Sequence, residues 1–203
     1  MVVRSIETLL ACVIERIIIG TGYHRECYEA LQEKYPQIEC CFSPRFAETN
    51  SMYTLWNCRH LINEDFLLLE SDLVFEKKAI ISLLECPYDS VMLITPVTKF
   101  QDQYYVEMDN HHMLTNCSTN PKALNYNGEL VGIHKLSRAF FERMCAEYAK
   151  IVAEKPKLGY EYQLLAMSQH IIPMQVLKMD DLQWYEIDDE QDMKYAEENL
   201  TII

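Results

Sequence analysis

The chain has 203 residues, nearly half of them hydrophobic, and a formal net charge of −13 at pH 7. That length suits one domain with a real buried core, spanning 1–203. The acidity excludes sequence-independent binding to nucleic acid or to an anionic membrane, because both would repel it. It does not exclude a phosphorylated substrate, since a bound divalent cation reverses the local sign.

In chain order, residues 5–12 read as an amphipathic helix with Ser5 as a plausible cap and Ile6, Leu9 and Leu10 on one face. The run Arg16-Ile17-Ile18-Ile19-Gly20 reads as a buried strand. A helix over 24–34 stops before Pro36, and 37–42 form a second strand. Helix 50–61, strand 65–70, helix 76–85 and strand 90–95 follow. Strand and helix thus alternate, which calls for a mostly parallel sheet with helices on both faces. Residues 103–109, 112–118 and 129–134 read as an antiparallel insertion at one sheet edge, with a turn at Asn127-Gly128. The rest reads as helix 136–152, helix 160–169, strands near 174–179 and 183–187, and a closing helix 189–199.

The eight cysteines include no C-x-x-C pair, and most sit in apolar runs, so we expect free buried thiols in a reducing, cytoplasmic compartment. No apolar stretch approaches the ~20 residues that cross a bilayer.

In open parallel sheets ligands bind beyond the carboxyl ends of strands. There the sequence places Thr21-Gly22-Tyr23, Ser43-Pro44-Arg45, Ser71-Asp72 and the acidic cluster from Glu186. Asp72 appears where an apolar strand runs out, and must be solvated, paired or metal-bound; it could equally cap the helix starting near Glu76 or belong to a turn. Trp184-Tyr185-Glu186-Ile187-Asp188-Asp189 is a second strand ending in carboxylates, and Asp189 with Asp192 could simply serve the last helix's first turn. If Asp72 and Asp188 end neighbouring strands, they could share one Mg²⁺, an ion that binds few protein carboxylates and takes its other ligands from water and phosphate. Tyr160-Glu161-Tyr162, Trp184-Tyr185 and Tyr104-Tyr105 combine aromatic faces with a carboxylate, a set that suits an organic ammonium, or else plain packing.

Several motifs in order carry a resemblance: Arg4-Ser5-Ile6-Glu7, Ile18-Ile19-Gly20-Thr21-Gly22-Tyr23, Thr49-Asn50-Ser51-Met52-Tyr53-Thr54-Leu55-Trp56, Leu69-Glu70-Ser71-Asp72-Leu73-Val74-Phe75, Gly128 to Ser137, and Tyr185-Glu186-Ile187-Asp188-Asp189. Together they resemble the bacterial phosphocholine and 2-aminoethylphosphonate cytidylyltransferases of the sugar-phosphate nucleotidyltransferase superfamily. The resemblance implies a Rossmann-like α/β fold with a mixed, mostly parallel sheet. It also implies transfer of CMP from CTP to a phosphorylated or phosphonate amine, with pyrophosphate released. Asp72 and Asp188 match the two Mg²⁺-holding carboxylates. Gly22, Tyr23, Asn50 and Ser51 line the nucleotide, and Glu161 with Tyr160, Tyr162 and Trp184 faces the acceptor's ammonium. A homodimer is compatible with it.

The chain departs from the pattern at its front. Members open with a strand and a glycine-rich loop carrying an arginine and a lysine, whereas Met1-Val2-Val3-Arg4-Ser5 matches their first helix, and Val13 stands where a glycine often precedes the next strand. The expectation is that Met1 is internal to a longer product, which the upstream DNA would settle. Two other readings stay open: a sugar-1-phosphate nucleotidyltransferase, and an inactive relative that binds nucleotide or a partner.

Overall fold

The computed structural model describes residues 1–98 and 103–200, and over them the chain folds into two compact units. Unit 1 comprises Met1–Ile14, Leu67–Leu136 and Met174–Ile203; unit 2 comprises Glu15–Phe66 and Ser137–Pro173. The elements are α1 (Val2–Ala11), β1 (Ile17–Thr21), α2 (Arg25–Glu29), α3 (Leu31–Lys34), β2 (Ile38–Phe42), α4 (Ser51–Asn57), β3 (Phe66–Leu69), β4 (Leu73–Phe75), α5 (Lys77–Glu85) and β5 (Val91–Thr95). They continue with β6 (Tyr105–Met108), β7 (Leu114–Ser118), β8 (Gly128–Leu136), α6 (Arg138–Ile151), α7 (Tyr160–His170), β9 (Gln175–Lys178), β10 (Trp184–Glu186) and α8 (Glu190–Asn199). No helix among the described residues is long and apolar enough to cross a membrane.

The heart of unit 1 is a six-stranded mixed sheet in the order β7-β6-β8-β5-β9, with β3 also pairing β8. β5 runs parallel to β9 but antiparallel to β8, and β6 is antiparallel to β7 and β8. Val91, Met92, Leu93 and Ile94 are all fully buried, which is why this strand reads as an unbroken apolar run rather than an alternating one. Each such side chain contributes about 2 kcal/mol of burial free energy. The expected antiparallel insertion is present as β6, β7 and β8, but only β7 is an edge strand, with β6 between it and β8. β8 is central, because its nine residues, all but Lys135 buried, pair on both sides.

β8 is also bent. Met92 pairs His134 and Ile94 pairs Leu130, so the one residue between them on β5 faces three on β8. Gly132 lies in that bulge with φ 77°, a conformation that only glycine adopts freely. A separate antiparallel pair, β4 with β10, matches Leu73 to Glu186, Val74 to Tyr185 and Phe75 to Trp184. The sequence reading had no β4, because three residues show no period.

Unit 2 contains the parallel pair β1–β2, in register from Ile17↔Ile38 to Thr21↔Phe42. Its helix α6 buries Phe140, Phe141, Met144, Cys145 and Tyr148, the one-face spacing of an amphipathic helix. The helix expected over 136–152 starts later, at Arg138, and Ser137 caps it, accepting from Phe140 N–H at 3.2 Å. The helix expected over 24–34 divides into α2 and α3 at Ala30, and the one expected over 50–61 ends in a 3₁₀ turn at Cys58–His60. Ser5 is not a cap: α1 begins at Val2, and Ser5 is buried mid-helix with Oγ 3.4 Å from the Leu73 carbonyl. Val13, just past α1, takes φ 64°, the left-handed conformation that usually calls for glycine.

Candidate functional site

Three carboxylates meet in unit 1. One oxygen each from Glu70, Asp72 and Glu186 lie within 4.8 Å of one another, and all three residues are half-buried. The backbone explains the convergence. β3 ends at Leu69, the chain bends through Glu70-Ser71-Asp72, and β4 starts at Leu73. The β4–β10 ladder then sets Glu186 opposite Leu73, and Ile187 N–H donates to the Asp72 carbonyl at 2.9 Å. Glu70 N–H donates to the Gly132 carbonyl at 3.1 Å, so the bulge of β8 receives the bend. The Glu70 side chain occupies the space that glycine leaves, since a Cβ at Gly132 would sit 2.2 Å from Glu70 Oε2. A bulge that re-aims side chains beside a site is a recurrent device.

Three like charges this close raise one another's energy unless they share a proton or a cation. A set of hard oxygen donors suits Mg²⁺, Mn²⁺ or Ca²⁺ rather than zinc or copper. The residues present therefore fit a divalent metal.

Asp72 does not cap α5, whose N-cap is Glu76 with no side-chain cap bond. Asp188 lies one residue beyond the Asp72–Ile187 contact, but its carboxylate is not one of the converging three; it is exposed, and its N–H donates to Asp192 Oδ2 at 3.0 Å. Asp189 caps α8, accepting from Gln191 and Asp192 N–H at 2.7 and 3.0 Å. The sequence reading marks the acidic cluster from Glu186 but assigns the metal to Asp72 and Asp188, and gives Glu70 and Glu186 no role. The signal was there: Glu70 precedes Asp72 at a spacing of two, and Glu186 closes its own short strand.

Trp184 is buried in unit 1, its Nε1–H donating to Thr95 Oγ1 at 2.9 Å. The other candidates lie in unit 2. Gly22 and Tyr23 follow β1; Tyr23 is largely exposed, its ring 3.9 Å from that of His24, which has φ 50°. A Cβ at Gly22 would meet the Phe46 ring at 2.7 Å. Asn50 caps α4 through Ser51 N–H at 2.8 Å, and Ser51 Oγ in turn accepts from Tyr160 N–H at 3.1 Å. Tyr160 and Glu161 are buried at the start of α7, where a carboxylate is favoured by the helix dipole, while Tyr162 is partly exposed. The Thr21 and Ser43 hydroxyls, at the carboxyl ends of β1 and β2, are buried without a hydrogen-bond partner.

No protein-family model matches the chain. Solved structures do. The inositol-1-phosphate CTP transferase from T. maritima superposes with a TM-score of 0.80 at 14% identity, over 94% of this chain and 77% of that one. CTP:phosphocholine cytidylyltransferase from Streptococcus pneumoniae gives 0.74 at 19% identity, over 96% and 82%. A glucose-1-phosphate thymidylyltransferase assignment from Bacillus anthracis gives 0.76 at 13%, over 96% and 80%. The fold is thus the mixed α/β fold of nucleotidyltransferase structures. These likenesses define the fold; the function is argued from the residues.

Proposed function

We propose that the chain is a Mg²⁺-dependent nucleotidyltransferase, a cytidylyltransferase that moves CMP from CTP to phosphocholine or 2-aminoethylphosphonate. The observation that carries the reading is the convergence of Glu70, Asp72 and Glu186, in a fold shared with CTP-using transferases.

In this reading Asp72 is the principal metal ligand, Glu70 and Glu186 complete the acidic face, and Asp188 stands next to it on the same segment. A divalent ion held by these carboxylates would supply charge neutralisation for the transferred phosphate. The chain's own residues do the positioning. Phosphoryl-type transfer asks the protein for alignment and electrostatics rather than covalent chemistry. The bulge at Gly132 fixes Glu70, and the Asp72–Ile187 backbone bond fixes the two acidic segments relative to each other. Gly22, Tyr23, Asn50 and Ser51 are assigned to the nucleotide, and Glu161, with Tyr160 and Tyr162, to the acceptor's ammonium. A cytoplasmic location follows from substrates of this kind.

The test is pyrophosphate release from CTP and Mg²⁺ with each acceptor, on wild type and Asp72→Asn. Turnover with either amine that Asp72→Asn abolishes supports the reading. CTP binding in calorimetry with no turnover on any acceptor defeats it and favours a non-catalytic relative.

One observation favours a second acceptor class. Trp184 is buried with its N–H committed to Thr95, so it is not available as a cation-binding wall. A sugar or polyol phosphate needs no such wall. Glu161→Gln discriminates: an ammonium acceptor loses affinity, whereas a sugar 1-phosphate is indifferent.

A further inference from the structure

The sequence reading places Trp184 against the acceptor, but in the fold it is buried with its N–H committed to Thr95 at 2.9 Å. The position of Trp184 on β10 gives that contact a use. Successive side chains of a strand point to opposite faces. Tyr185 and Ile187 take one face, where they pack with Val74 and with Ala196 of α8. Trp184 and Glu186 share the other face, ~7 Å apart along the chain. Trp184 reaches Thr95, the last residue of β5, and Glu186 joins Glu70 and Asp72.

We propose, on the reading of Glu70, Asp72 and Glu186 as a metal site, that Thr95 is a positioning residue for it: by accepting the Trp184 N–H it holds β10 against the end of β5 and so sets where Glu186 presents its carboxylate. Glu70 and Asp72 belong to one bend, which fixes their spacing. Glu186 comes from a strand far along the chain, and a cation that draws on all three depends on how firmly that strand is placed. Contacts behind the ligands govern metal affinity for this reason.

Among the described residues β10 pairs with β4 alone, and a two-stranded ribbon of three residues has little stability of its own. The ladder, with the Ile187–Asp72 backbone bond, fixes Glu186 along the strand. It leaves the ribbon free to tilt against the sheet that holds Glu70 through Gly132. The Trp184–Thr95 bond joins ribbon to sheet and stops that tilt. Its direction is unambiguous, because an indole N–H only donates. Both partners are buried, so without Oγ1 the N–H has no acceptor, and the ring must move to find one, taking β10 with it.

The test is Mn²⁺ binding to the full chain, read from the fall of the free-ion paramagnetic resonance signal. Thr95→Val removes the oxygen at nearly the same shape and should raise the Mn²⁺ dissociation constant about tenfold. Trp184→Phe keeps a ring without the N–H and should do the same. The double variant should bind no more weakly than either single one, because both break one contact. Thr95→Ser keeps the acceptor and should bind like wild type. A Thr95→Val chain that melts lower but binds Mn²⁺ with unchanged affinity would overturn the proposal, and so would a Thr95→Ser chain that binds no tighter than Thr95→Val. If Thr95→Val does not fold, Thr95→Ser and Trp184→Phe decide in the same terms. A wild type that takes up no Mn²⁺, or whose binding survives Glu186→Gln unchanged, removes the metal reading and the proposal with it. Unchanged affinity in the Thr95 and Trp184 variants removes the role of Thr95 and leaves the metal reading standing.

Discussion

In unit 1 three half-buried carboxylates gather where strands end. In unit 2 two helix starts have a backbone N–H met by a side chain from far along the chain. Arg138 N–H, opening α6, donates to Asp65 Oδ1 at 2.8 Å, while the Arg138 guanidinium reaches the Asn63 carbonyl at 2.9 Å. Tyr160 N–H, opening α7, finds Ser51 Oγ in the same way. These bonds pair one donor with one acceptor and leave nothing over. Glu70, Asp72 and Glu186 instead bring three acceptor carboxylates within 4.8 Å of one another, where each negative charge disfavours the next. The contrast sets hydrogen bonds that satisfy helix starts against like charges brought together where strands end.

The sharpest way to break that contrast is Asp72→Asn. If the carboxylates serve chemistry, the variant loses about a thousandfold in kcat/KM, as removal of transition-state charge stabilisation does. A lower melting temperature with activity intact would make Asp72 a structural residue like Asp65.

A second prediction concerns a polar group in unit 1 that belongs to neither class. His134 on β8 is fully buried, and desolvation holds its pKa down at about 3. Its folded pKa lies below its unfolded one, so the unfolded chain takes up a proton that the folded chain refuses. Stability is therefore complete above pH 6.5 and falls as pH drops toward 3. The expected loss is about 2 kcal/mol between pH 6.5 and 5, read by denaturant titration at each pH. His134→Gln should flatten that part of the curve.

How far the sequence reveals this division follows from the range of the forces. β5 is legible because both its faces are buried and every residue is apolar. α6 is legible from the spacing of Phe140, Met144 and Tyr148. Val13 was legible only through a family resemblance, as a glycine-like position, and its φ of 64° agrees. The acidic site was half legible: Asp72 and the Glu186–Asp189 segment stand out at strand ends, yet which carboxylate points inward depends on the register of a three-residue ladder. β4 was missed for that reason. The Ser51–Tyr160 and Asp65–Arg138 bonds span 109 and 73 residues, and no local pattern announces either one.

The bulge offers a third test, smaller in size. Gly132→Ala puts a methyl group where Glu70 now lies, at a φ that alanine resists. It should cost about 2 kcal/mol, or a fall of several degrees in melting temperature. It should also raise the Mg²⁺ concentration needed for half-maximal activity, because Glu70 is pushed aside. Lost stability with an unchanged metal requirement would take Glu70 out of the site and leave Asp72 and Glu186.

The smallest effect tests the unit 2 side of the comparison. Ser51 is read from its motif as a nucleotide-lining residue and is seen in the structure as the acceptor for Tyr160 N–H at 3.1 Å. Ser51→Ala removes the acceptor and leaves the first N–H of α7 without it, at a cost of about 1 kcal/mol. Ser51→Thr keeps an oxygen in place and should restore most of that stability. KM for CTP should rise a few-fold in the alanine variant if the same hydroxyl also faces the nucleotide, because one hydroxyl can donate its proton to a ligand while accepting from the backbone. A melting temperature that does not move would remove Ser51 from the scaffold of unit 2. A KM that does not move would remove it from the nucleotide site.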